Sequence, residues 1–204
     1  MKAVKKKGLR KMKFPRTPHI PGSKSTSDDI HTNYHYAGEV VSTEKLDGSN
    51  ILMSNTDLIS RSGGLPKGEW ADPLKQFYHS ISYKIPSNIV VAGEYMLWRK
   101  SISYDCLPGP YIIFGIIEDN TIVSWEEVKD YAQYLELPVA RTLSQGSYDK
   151  VVRESTSLMN EKMEGYVIRP LESFPLNHYS DYVAKFVGSH HNPVATNNGY
   201  NNIA

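Results

Sequence analysis

The chain has one cysteine, Cys106, in 204 residues. One thiol gives no disulfide framework and no cysteine-ligated zinc site, so the fold must rest on its own apolar core. No apolar run approaches the ~18 residues a membrane-spanning helix needs. Met1 leads into lysines with no apolar signal core behind them. The chain therefore reads as cytoplasmic, with no membrane partner. An excess of one charge is also missing. Lys and Arg total 23 against 22 Asp and Glu, a net charge of +1, which excludes a polycation that coats nucleic acid along its whole surface. Phenylalanine is scarce at 5 while tyrosine reaches 14, a bias that suits a half-wet groove and β-strands equally. No internal repeat and no linker-like stretch stands out.

The bulk of the chain is ordinary for a globular protein, with 40% hydrophobic and 22% charged residues, and is long enough for one large domain. One local imbalance appears at the start. Lys2, Lys5, Lys6, Lys7, Arg10, Lys11 and Lys13 occur with no acid among them. Such an arm can contact phosphates, or it can be a solvated terminus. Residues 14–37, rich in Pro, Ser, Thr, His and Asp, read as an extended lead-in loop. The divisions expected are 1–37 for arm and loop, 38–188 for the main domain, and 189–204 for a polar, Asn-rich tail that is loose at its end.

Apolar patterning predicts strands near 38–44, 50–54, 88–96, 111–117, 121–123, 165–169 and 181–187, with a short one running to Arg61. A helix is expected from Asp72, with Pro73 at its first position and Leu74, Phe77, Tyr78 and Ile81 on its buried face. A second follows a Ser124/Glu127 capping box and stops at Leu137-Pro138, and a third lies near 147–159. These elements make an α+β domain of antiparallel sheets and packed helices.

The most informative stretch is Glu44-Lys45-Leu46-Asp47-Gly48-Ser49-Asn50. Asp-Gly between Glu39-Val40-Val41 and Ile51-Leu52-Met53 predicts a hairpin, with Lys45 at a strand end beside a carboxylate held by the turn. A lysine amine is a nucleophile only when neutral, so such a role needs surroundings that favour the neutral form. A surface hairpin with an exposed lysine fits the same residues. Five further segments carry chemistry-bearing residues: Ser60-Arg61-Ser62-Gly63-Gly64, Gly93-Glu94-Tyr95, Tyr111 to Ile117 with Phe114, Glu164-Gly165-Tyr166-Val167-Ile168, and Tyr182-Val183-Ala184-Lys185-Phe186. Glu94 and Lys185 interrupt apolar strands, where a bare charge is costly without a partner or ligand. Glu164 at a strand entrance suits a divalent metal. His190-His191 would point opposite ways on a strand and so make no ligand pair, while His19, His31 and His35 fall in the lead-in loop.

Together, in this order, the six segments resemble the motifs of covalent nucleotidyltransferases, the superfamily of ATP-dependent polynucleotide ligases and mRNA capping enzymes. The resemblance covers about residues 40–187. Lys13-Phe14-Pro15-Arg16-Thr17-Pro18-His19-Ile20 and the wording of the lysine motif are most similar to the phage RNA ligase 2 type. The resemblance implies an adenylylation domain, ATP-grasp-like, whose sheets flank a nucleotide pocket, and an RNA ligase that joins 5′-phosphate and 3′-hydroxyl ends of RNA or other nucleic acid through a lysyl-AMP. It assigns Lys45 as nucleophile, with Asp47 beside it. Glu44, Arg61, Glu94, Phe114, Glu164 and Lys185 bind ATP, and Glu164 and Asp47 hold Mg²⁺ or Mn²⁺. The family often has a second lysine where this chain has Val183. Only 19 residues follow Lys185, too few for an oligonucleotide-binding fold, so a minimal catalytic domain or a piece of a longer protein is expected. A DNA ligase core, a capping guanylyltransferase, and an end-binding protein without turnover are the alternatives.

Overall fold

The computed structural model describes residues 12–191 and 199–203. The basic arm from Lys2 to Lys11 lies outside the described residues. Ten strands and four α-helices follow in the order β1 (Val40–Lys45), β2 (Ser49–Met53), β3 (Leu58–Ser60), α1 (Ala71–Ile81), β4 (Ile89–Tyr95), β5 (Tyr111–Glu118), β6 (Thr121–Ile122), α2 (Trp125–Leu135), β7 (Thr142–Gly146), α3 (Tyr148–Ser157), β8 (Gly165–Pro170), β9 (Phe174–Pro175), α4 (Tyr179–Tyr182) and β10 (Ala184–Val187). They form two sheets, β10-β8-β1-β7 and β3-β2-β4-β5-β6-β9. Every named strand pair is antiparallel. The α+β class and antiparallel sheets agree with the sequence.

Alternation along the strands explains the layering. In the six-stranded sheet Ile51, Met53, Val91, Ile113 and Ile116 pack with Leu74, Tyr78 and Ile81 of α1 and Val128, Ala132 and Leu135 of α2. Leu52, Ala92 and Ile117 join Phe14 from the lead-in loop with Phe174, Tyr179 and Val183. That loop is ordered. His19 bridges Lys185 in parallel, Lys185 N–H donates to Pro18 O at 2.8 Å, and Ile20 N–H donates to Lys185 O at 3.0 Å, so the loop extends the sheet beyond β10. The predicted capping box is present, with Ser124 accepting from Glu127 N–H. α1 starts one residue before the expected Asp72.

The predicted hairpin at Asp47-Gly48 does not form. β1 pairs with β7 and β8, and β2 with β3 and β4, so both edges of each strand are taken and the lysine motif crosses from one sheet to the other. A type I′ hairpin needs positive φ at both turn residues. The chain supplies that at Asp119 and Asn120, with φ of 45° and 65°, between β5 and β6. Gly48 serves a different need: a Cβ there would lie 2.5 Å from the Tyr95 carbonyl oxygen. Gly165 is tighter, because its Cβ would collide with the Phe186 backbone across the β8–β10 pair. Gly165→Ala is therefore expected to cost about 1–3 kcal/mol or more, the range for overpacking, with the backbone unable to give. Urea unfolding tests this; an unchanged midpoint would contradict the close approach.

Three other expectations change. The strand near 181–187 starts only at Ala184, because Tyr179–Tyr182 form α4. β7 carries no alternating apolar signal. It is held by buried serines: Ser42 Oγ lies 2.6 Å from Ser155 Oγ and accepts from Ser144 N–H at 3.1 Å. The described end of the polar tail is docked rather than loose, with Asn201 only 6% exposed.

Candidate active site

The crossing of the lysine motif between sheets puts Lys45 at the lip of a crevice. The cavity there is about 180 Å³, far above the ~10–15 Å³ that one water needs, so it is of ligand size. Of the candidate residues, Glu44, Lys45, Arg61, Glu94, Phe114 and Lys185 line it. β1 and β10 supply Glu44, Lys45 and Lys185 from one sheet, while β4 and β5 supply Glu94 and Phe114 from the other. Arg61 follows β3 directly. Phe114 is half-buried and packs edge-on against Phe14, with ring centroids 5.6 Å apart. The Glu44 carboxylate accepts from Arg141 Nε at 2.8 Å. Val183, at the position of the family's frequent second lysine, is buried and forms part of the apolar wall.

Glu164 and Asp47 do not line this cavity; they sit at the lysine head. Lys45 Nζ lies 2.5 Å from Glu164 Oε1. Asp47 is fixed by loop 97–107 rather than by its own turn. Its Oδ2 accepts from Ser101 N–H at 2.8 Å, Ile102 N–H at 2.9 Å and the Ser101 hydroxyl. His191 also reaches this point, with Nε2 3.6 Å from Glu164 Oε1. β10 ends at Val187, so the two histidines are not on a strand, and they form no ligand pair: only His191 faces Glu164, while His190 Nε2 lies 2.8 Å from Met163 O. Lys24 Nζ instead donates to the carbonyls of Ser189 at 3.2 Å and His191 at 2.5 Å, holding that segment in place. Ligand atoms of Asp47, Glu164 and His191 all lie within 4.8 Å of one another, and Glu164 Oε2 is buried without a hydrogen-bond partner among the described residues. Two carboxylates, an imidazole and an orphaned buried oxygen fit a divalent cation.

Burial pushes the Glu94 carboxyl up to about 8, with Lys45 pulling down and Glu164 pushing up. A carboxyl raised this far takes its neutral form more readily near pH 7, and in that form it can donate as well as accept. Its folded-state value lies above its unfolded one, so the folded chain binds the extra proton between roughly pH 4.5 and 8 and loses stability as pH rises through that window. Glu94→Gln is expected to raise the melting temperature at pH 8.5 by about 3 °C, the shift that about 1 kcal/mol gives at this size, and to leave it unchanged at pH 5. Equal shifts at both values would show that burial is not the cause. Burial also lowers the Lys185 amine, followed by repulsion from Lys45. Among the described residues, neither Lys185 nor Arg61 has an acidic partner within 4.0 Å.

The RNA ligase family profile matches residues 38–187, most of the chain and all six motif segments. The chain belongs to the RNA ligase family. No curated protein sequence matches it. Solved structures share the fold. An archaeal ATP-dependent RNA ligase aligns with a TM-score of 0.56 at 16% identity over 87% of this chain and 48% of its own. A lysine-to-alanine variant of the Naegleria gruberi RNA ligase, with ATP and Mn, gives 0.56 at 14% over 87% and 61%. A putative ATP-dependent DNA ligase from Aquifex aeolicus gives 0.53 at 17% over 76% and 45%. This RNA ligase family chain thus spans about half the length of the archaeal relative. No helix among its described residues is long and apolar enough to cross a membrane.

Three further residues at the candidate site of this RNA ligase family chain are not evident from sequence. Asn50, opposite Glu94 across β2 and β4, lines the cavity with its Oδ1 buried and unpartnered among the described residues. It ends the lysine motif, and its polar side chain at the head of an apolar strand is the available signal. Arg169 also lines the cavity, 5% exposed, donating to the carbonyls of Val123 and Pro170, with its guanidinium 5.2 Å from the Phe174 ring centroid. Burial lowers it to about 10. It stands two residues after Val167 on β8, and so on the same strand face. His191 is the third, and nothing in its sequence neighbourhood points to Glu164.

Proposed function

We propose that this chain is the nucleotide-attaching domain of an ATP-dependent RNA ligase, with Lys45 as the residue that carries AMP. The observation that carries the reading is the Lys45–Glu164 pair at 2.5 Å on the lip of a cavity lined by Glu94, Phe114, Arg61 and Lys185. The neutral Lys45 amine attacks the α-phosphorus of ATP. An N–P bond forms, the P–O bond to pyrophosphate breaks, and the proton leaves the amine. AMP then passes to a 5′-phosphate end, and a 3′-hydroxyl attacks that activated phosphate and releases AMP.

Each side chain has a physical task in this scheme. Arg61 and Lys185, which have no acidic partner within 4.0 Å among the described residues, bind phosphate oxygens. Phe114 stacks on the purine, and neutral Glu94 exchanges hydrogen bonds with the ribose hydroxyls. Glu44, held by Arg141, seats the base edge. Mg²⁺ or Mn²⁺ at Asp47, Glu164 and His191 would neutralise charge on the phosphate oxygens. Membership of the RNA ligase family supports RNA as the polymer. The test supplies the labelled protein-AMP with 5′-phosphorylated RNA or DNA strands. Movement of AMP onto RNA ends is expected, transfer to DNA ends alone would favour the DNA ligase reading, and retention on the protein would restrict the chain to the first step.

A further inference from the structure

Loop 97–107, within the 96–110 connection from β4 to β5, holds Asp47. Two successive backbone N–H groups, of Ser101 and Ile102, converge on Asp47 Oδ2 at 2.8 and 2.9 Å. The Asp47 N–H in turn donates to Tyr104 Oη at 2.9 Å. The loop has little regular structure of its own, and segment 199–203 is hydrogen-bonded along it. Arg99 N–H donates to Gly199 O at 2.9 Å and Leu107 N–H to Asn202 O at 2.9 Å, so the segment runs along the loop. Asn201 spans its two ends. Its Nδ2 donates to Met96 O at 2.6 Å, its backbone N–H donates to Leu97 O at 3.0 Å, and its Oδ1 accepts from Tyr104 N–H at 3.4 Å.

From this we infer that Asn201 is a positioning residue for Asp47, acting through the Ser101–Ile102 amides. It lies outside the family match, which ends at residue 187. The inference rests on the reading that Asp47 serves AMP attachment. One primary amide supplies both the donor for Met96 and the acceptor for Tyr104. Alanine removes both, and aspartate sets an oxygen against the Met96 carbonyl. Asn201 is 6% exposed, so either change leaves buried backbone groups without partners.

The experiment uses the full chain with ATP and Mn²⁺ and compares Asn201→Ala and Asn201→Asp with Val151→Ala. Val151 is fully buried on α3, away from the loop, and its variant serves as a control for lost stability. The Asn201 variants are expected to form protein-AMP about 10- to 100-fold more slowly, the cost of a small misplacement of a reacting group, at unchanged half-saturating ATP. Val151→Ala is expected to keep its rate. Amide exchange at Ser101 and Ile102, read without ATP, should rise at least about tenfold in the Asn201 variants, since a lost hydrogen-bond brace exposes those amides. Labelling within twofold of the unsubstituted chain, or a loss matched by Val151→Ala, overturns the inference. Unchanged exchange at both amides overturns it independently of activity. If the unsubstituted chain takes no label, the AMP-attachment reading fails, and the exchange result alone decides whether Asn201 sets the loop.

Discussion

Lys45→Arg is expected to bring AMP attachment to background while leaving the fold close to its original stability. Arginine keeps the positive charge that faces Glu164 at 2.5 Å, so the ion pair at the crevice lip persists. It cannot supply a neutral nucleophile, because a guanidinium stays protonated at any working pH. Lys45→Ala should also abolish attachment, and it separates the two roles of the residue. It strands the buried Glu164 carboxyl, so it should lower stability by about 1–3 kcal/mol, the cost of an unsatisfied buried polar group. Denaturing electrophoresis for label and thermal melting for stability read the two effects. A labelled Lys45→Arg chain would mean that another residue carries AMP.

Glu164→Gln has the next largest expected effect. Glu164 is 7% exposed, faces both Lys45 and His191, and keeps Oε2 without a partner among the described residues. A glutamine preserves the shape and removes the charge. The rate of AMP attachment should fall about 100-fold or more, as when a charge-stabilising group or a metal-site carboxylate is lost. The amount of Mn²⁺ needed for half-maximal rate should rise as well. That second readout matters, because a carboxylate that only paired with Lys45 would change the rate without shifting the metal requirement. A rate within a few-fold of the original would remove Glu164 from the centre of the site.

The chemistry of this fold is more legible in sequence than its geometry. Residues 44–50 announce a lysine, an aspartate and a glycine in fixed spacing; Lys45 lines the crevice, Asp47 stands beside Glu164 at the lysine head, and Gly48 packs against the Tyr95 carbonyl. The local pattern reads as a hairpin because Asp-Gly between apolar runs is a hairpin signal. It fails here since both strands find other partners, and strand pairing across sheets is a long-range choice that no seven-residue window contains. The helices with strong caps and apolar stripes lie within a residue or two of their expected positions, as at Ser124 and Glu127. β7 is invisible in sequence because its inward position is Ser144, satisfied by Ser42 rather than by apolar contact. His191 and Asn201 are out of reach for the same reason. His191 comes within 3.6 Å of Glu164 and Asn201 hydrogen-bonds Met96 and Tyr104, contacts between residues far apart in the chain that leave no periodic trace. Arg169 is closer to legible, because an arginine two positions after Val167 on a buried strand needs a partner or a cavity.

AMP attachment by Lys45 is tested by incubating the purified chain with Mn²⁺ and α-labelled ATP or, separately, α-labelled GTP, followed by denaturing electrophoresis and peptide mapping of the label. An acid-labile AMP adduct at Lys45, formed from ATP in preference to GTP, is expected. A GMP adduct would move the chain to capping chemistry, and no adduct from either nucleotide would contradict the proposed function.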